Sequence, residues 1–169
     1  MKTKTRVAVF LLAGALLLLQ GATFAQQSAG PGSGQTVTDQ DIQMLRSDLR
    51  SQKKQIIAQN MTLTDAQAEK FWPVYDAYTQ EETKLNDSRL ALIKEYAQNY
   101  NSMTDQVANS LMKRQLALDE SFVQLRQSWV PKFEKVISPK QTALFFQLDR
   151  RVALLIDLQL ASSIPLVKQ

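Results

Sequence analysis

The sequence predicts an all-α fold, on three observations. All five glycines (Gly14, Gly21, Gly30, Gly32 and Gly34) precede residue 35. The long remainder therefore lacks the residue that tight hairpins and phosphate loops normally need. Apolar residues recur through that remainder at three-, four- and seven-residue steps. Capping patterns stand at the heads of the runs. The expected architecture is a bent antiparallel helical hairpin with flanking N- and C-terminal helices, forming one domain over residues 38–169.

The first helix is expected from Thr38 to about Ala58. Thr38 and Asp41 resemble a capping arrangement ahead of Ile42. Ile42, Leu45, Leu49 and Ile56 fall in one narrow sector, and Arg46, Arg50 and Lys53 lie along one flank of it. A second helix opens at Leu63-Thr64-Asp65-Ala66-Gln67, where Thr64 and Gln67 can form a reciprocal capping box. Phe71, Tyr78, Leu85 and Leu92 then repeat every seven residues, as in coiled-coil packing. Pro73 removes one helical hydrogen bond, so a bend is expected at Trp72-Pro73.

Residues 99–102 form a polar turn, and Thr104 caps a third helix. Its stripe is Val107, Leu111, Leu118, Phe122, Leu125, Trp129, Phe133 and Val136, with Pro131 bending it near its end. Two long helices joined by a short polar turn are most simply an antiparallel hairpin. A fourth helix opens at Ile137-Ser138-Pro139-Lys140-Gln141, with Ser138 as cap, Pro139 at the favoured first position and Gln141 closing the box. Between Leu144 and Leu160 it is apolar on most sides, which demands burial on more than one face. In so small a domain a homodimer interface is the economical solution, and Pro165 ends the helix.

Residues 1–25 read as a cleavable secretory signal peptide. Lys2, Lys4 and Arg6 are followed by an apolar run over residues 7–19, then by small residues at Thr23 and Ala25. That run is short of the roughly 20 residues a membrane-spanning helix needs. The expectation is a periplasmic protein with no stable membrane insertion after cleavage. Residues 26–37 read as a flexible polar linker. Cleavage takes the basic count from 20 to 17 against 16 acidic residues, so the overall positive charge gives no argument for nucleic-acid binding.

The chain has no cysteine and no histidine. Serine–histidine and cysteine–histidine catalysis, disulfides and thiolate-bound metals are thereby excluded. No nucleotide loop or catalytic motif stands out, and Glu81-Glu82 and Asp119-Glu120 read as solvated helix faces. The scattered methionines Met44, Met61, Met103 and Met112 read as core fillers rather than a copper site. The chain is therefore expected to be no enzyme and to use no cofactor and no metal.

The two capping boxes share one pattern, Leu/Ile-Thr/Ser-x-x-Gln, carried by Leu63, Thr64 and Gln67 and by Ile137, Ser138 and Gln141. With an export signal and an all-helical chain, this resembles the periplasmic Spy/CpxP family, also called the LTxxQ-motif family, over roughly residues 38–160. The resemblance implies a thin, cradle-like homodimer of bent helices. It implies an ATP-independent chaperone for unfolded or misfolded envelope proteins, or a regulatory partner of an envelope-stress sensor kinase's periplasmic domain. The family's metal-responsive branch relies largely on histidine and sometimes cysteine, so metal sensing is a weaker implication.

Four sets of residues are candidates for function or its support. Arg46, Arg50, Lys53 and Lys54 offer a cationic surface beside apolar residues, suited to steering and holding unfolded clients. Trp72, Tyr75, Trp129 and Phe133 flank the two prolines and form either core or an aromatic groove. Asp149-Arg150-Arg151 lies inside the apolar fourth helix and needs charge partners, for which Asp157 of an opposing subunit is one. The capping residues themselves have a complete structural explanation as caps.

Overall fold

A computed structural model describes residues 39–167. The expected signal peptide, linker and Thr38 cap lie outside the described residues, as does the Ile42 side chain. Four helices follow in order: α1 (Asp39–Asn60), α2 (Asp65–Asn99), α3 (Asp105–Glu134) and α4 (Pro139–Ser163), with a 3-10 turn at Tyr100–Ser102 between α2 and α3. The described chain is all-α.

The caps anticipated for α2, α3 and α4 are all present. Thr64 accepts from the Gln67 amide while the Gln67 side chain accepts from the Thr64 amide, and Ser138 and Gln141 repeat the arrangement. Thr104 accepts from the Val107 amide at the start of α3. Asp65 and Asp105 sit in the first turns of α2 and α3, where the positive end of the helix dipole favours them. Helix α2 runs unbroken through Pro73. Pro73 and Glu69, whose carbonyl loses its donor, are both exposed, so water can take over that bond.

The α2–α3 hairpin buries the stripes that the sequence marks. Phe71, Tyr78 and Leu92 of α2 face Leu111, Leu118, Phe122, Leu125, Trp129 and Phe133 of α3. Helix α4 lays Phe145 and Leu148 on one end of this hairpin, and α1 adds Ile57, with Met61 following it. That end is a dense aromatic core. Phe133 and Phe145 have ring centroids 4.3 Å apart, and Tyr78 meets Trp129, Phe133, Phe145 and Phe146 edge-on at 5.7–6.0 Å. Such edge-on contacts each add about 0.5–1.5 kcal/mol beyond area burial.

Besides these aromatic contacts, the outer helices meet α2 through long polar side chains. Helix α1 runs antiparallel to α2, linked by Lys54–Asp76 (2.9 Å), Lys53–Glu82 (2.7 Å) and Arg46–Asp87. Helix α4 runs parallel to α2, and its rungs are Tyr78–Asp149 (3.0 Å), Arg89–Asp157 (2.9 Å) and Tyr96 to the Pro165 carbonyl (2.7 Å). Among the described residues no Cα of α1 or α4 comes within 8 Å of one in α2. The aromatic core closes the bundle at one end. Beyond it α2 and α3 stay packed through Leu92, Leu111, Leu118 and Phe122, while α1 and α4 splay around a cleft lined by all four helices.

Helix α1 presents a different face from the one its apolar stripe suggests. Lys53, Ile57 and Met61 are buried, whereas Leu45 remains 60% exposed. The inward face lies roughly 100° around the helix from Leu45, on the cationic flank. Carboxylates waiting on α2 and α4 outweigh the stripe in setting the rotation. Helix α4 divides in two. Phe145, Leu148 and Asp149 are buried within the chain, but Leu154, Leu155 and Leu158 remain exposed.

Candidate functional site

At the boundary between the aromatic core and the splayed helices sits a buried polar cluster. Lys53 Nζ lies 2.7 and 2.9 Å from the two Glu82 carboxylate oxygens and 2.6 Å from Asp149 Oδ1. Tyr78 donates its hydroxyl to Asp149 Oδ2 at 3.0 Å. Lys53 is only 8% exposed and Asp149 fully buried, so the group is held in a low-dielectric setting. Burial alone pulls the Lys53 ammonium pKa down, but Asp149 and Glu82 together outweigh it and the result is raised. Burial pushes the Glu82 carboxyl up despite the attraction of Lys53. It also raises the Tyr78 phenol, helped by the Asp149 charge, and pushes Tyr75 up to about 12.

Above this floor the splayed helices enclose a cleft of about 670 Å³, walled by all four. Leu49 of α1, Leu90 and Ile93 of α2, Phe122 of α3, and Ile156 and Leu160 of α4 supply its apolar lining. Basic side chains outnumber acidic ones around it. Arg89 pairs with Asp157 and stacks its guanidinium 4.6 Å from the Phe122 ring centroid. Arg50 and Arg126 also line the cleft, and neither has an acidic partner among the described residues.

Three of the four cations expected to face a client are committed elsewhere. Lys53 belongs to the buried cluster, which corrects its assignment to a surface: removed from water, it needs both carboxylates. Arg46 pairs with Asp87, and Lys54 pairs with Asp76 while lying 5.2 Å from the Trp72 ring centroid. Arg50 alone of the four is exposed without an acidic partner among the described residues. The aromatic group is core and not a groove. Tyr75, Trp129 and Phe133 are buried, Trp72 is half-buried against them, and the Trp129 indole donates to Glu81 at 2.8 Å. Glu81 and Glu82 are thus bonded across the bundle, not merely solvated. Asp157 finds Arg89 and Arg150 (3.7 Å) within its own chain, so it needs no opposing subunit.

The two capping motifs meet in space. Gln67 Nε2 donates to Gln141 Oε1 at 3.1 Å, and Gln141 Nε2 returns a bond to Gln67 Oε1 at 3.3 Å. Gln141 Nε2 also donates to the Thr62 carbonyl at 3.0 Å. The starts of α2 and α4 are therefore clasped side by side, 74 residues apart in sequence. Nothing in a single motif signals this partner, although the repetition of the pattern is a hint in retrospect.

Among the described residues no three His, Cys, Asp or Glu side chains converge as a metal site, and no helix is long and apolar enough to cross a membrane. The sequence matches no family model, no curated protein and no solved structure in the comparisons made.

Proposed function

We propose that this chain is a periplasmic, ATP-independent chaperone-like protein of the Spy/CpxP (LTxxQ-motif) type, holding unfolded or stress-damaged envelope proteins. The observation that carries the reading is an exposed apolar stripe on α3. Met112, Leu116 and Val123 lie on one face at helical spacing and stay open to solvent, with Leu116 61% exposed. Aligned apolar side chains of this kind mark interaction surfaces more than scattered ones do. Lys113, Asp119 and Glu120 interrupt the stripe with charge of both signs. Such a surface suits weak, sequence-tolerant contact with many partners. The clasped capping motifs support the family resemblance, because both copies of the pattern work together at one point of the fold.

We also propose a homodimer through the distal half of α4. Leu154, Leu155 and Leu158 form an exposed apolar patch there. Continuous apolar surface with few charges is the composition of a stable interface.

The test is light scattering from a chemically denatured reporter diluted into buffer without nucleotide, with the purified exported protein added. Suppression of aggregation is expected at low molar excess, and the double variant Met112→Gln, Leu116→Gln should lose most of it while keeping its helical circular dichroism. No suppression at severalfold excess overturns the chaperone reading. The regulatory partner of a sensor kinase then becomes the leading one.

A further inference from the structure

We propose that the cleft between the splayed helices binds a single-chain anionic amphiphile, with its acidic head at Arg50 and Arg126 and its alkyl tail along the apolar walls. The cleft volume of about 670 Å³ is of the size that holds small molecules, and gaps between the helices of a bundle are a recurrent place for them. Its chemistry is graded along the axis. The polar end is the Lys53–Glu82 floor, with Arg50 one turn before Lys53 on α1 and Arg126 close enough for its charge to act on Glu82. From Glu82 to Ile93 the wall rises eleven residues of α2, about 16 Å at the helical rise per residue. Apolar side chains from all four helices line that length. A flexible alkyl chain fits such a slot.

The head group follows from charge. The other basic residues around the cleft have carboxylate partners: Lys53 has Glu82 and Asp149, Arg46 has Asp87, and Arg89 and Arg150 share Asp157. Arg50 and Arg126 make no direct ion pair among the described residues, Arg126 acting on Glu82 only from a distance. A carboxylate or phosphate supplied by a ligand therefore gives both a direct partner. Arginine suits that task, because its planar fork binds either group through two parallel hydrogen bonds. The cleft meets the surface proposed for clients only at Val123 and Asp119, and Met112 and Leu116 do not line it.

The experiment uses the delipidated exported protein and an environment-sensitive fluorescent undecanoic acid as probe, displaced by competitors kept below their micelle concentrations. Dodecanoate should displace the probe at one molecule per chain, and dodecanol should be at least tenfold weaker. Dodecyl phosphate distinguishes the head groups: the stronger of the two anions identifies the acid that the arginines prefer. Arg50→Gln, at an exposed side chain, should weaken the anions about tenfold and leave dodecanol unchanged. Ile156→Glu should abolish displacement by all three. The proposal is overturned if neither anion displaces the probe, if dodecanol matches the better anion, or if Arg50→Gln leaves both anions unaffected. Aggregation suppression by the Ile156→Glu protein should be unchanged, since Ile156 lines the cleft and belongs to neither candidate client surface, which separates failure here from failure of the chaperone reading.

Discussion

Lys53 and Arg50 lie one turn apart on α1, and their roles are opposite. Among the described residues Lys53 is the only cation in direct contact with Glu82 and Asp149, so removing it leaves a buried and a half-buried carboxylate facing each other. Breaking a buried ion pair in this way costs about 3–5 kcal/mol, whereas an exposed substitution stays within about 0.5 kcal/mol. Urea unfolding at neutral pH should therefore show a large loss for Lys53→Met and almost none for Arg50→Gln. The pH dependence gives a second readout in the same measurement. The folded pKa of Lys53 lies above its ordinary value of 10.5. Its contribution is thus complete below that value and lost as pH rises through the folded pKa. The gap between wild type and Lys53→Met should narrow on moving into that alkaline range. A gap that stays constant there, or is absent at neutral pH, contradicts the buried cluster.

At the scale of elements, the helices and their caps were legible because their signals are local. A capping box is contained within four residues, and the stripes of α2 and α3 repeat often enough to define one buried face each. Helix α1 does not make its inward face legible in its own sequence, for a physical reason. Its apolar residues are few, and the carboxylates that turn Lys53 inward come from Glu82 and Asp149, far along the chain. The contact between Gln67 and Gln141 is equally hidden, since capping accounts for each Oε1 and leaves the partner of each Nε2 unspecified. This clasp is open to a double-mutant cycle. Gln67→Ala and Gln141→Ala should each cost about 1 kcal/mol through cap and hydrogen-bond loss. Together they should fall short of additivity by about 0.5 kcal/mol or more, because either change already breaks the shared amide pair. Strict additivity in urea unfolding would show that the two caps act independently.

For the whole molecule, the deciding feature is how α4 divides its apolar surface. The composition of residues 144–160 calls for burial on several sides without saying by what. Phe145 and Leu148 find it in the aromatic core, while Ile156 and Leu160 turn to the cleft. Leu155 at 63% and Leu158 at 68% exposure are left outside. A stable protein interface removes about 800 Å² from each partner, more than one turn of helix offers. The exposed Leu154 and the residues after α4, where Leu166 is 88% exposed, extend the apolar area available to a second copy. Sedimentation velocity at micromolar concentration should accordingly find a dimer. Leu155→Glu with Leu158→Glu should convert it to a monomer of unchanged helicity, since a charge at an apolar interface is repelled while the same charge on a free surface is tolerated. Met112→Gln with Leu116→Gln should leave the dimer intact. A wild-type monomer, or a dimer indifferent to the α4 substitutions, would mean that these leucines face something other than a second copy of the chain.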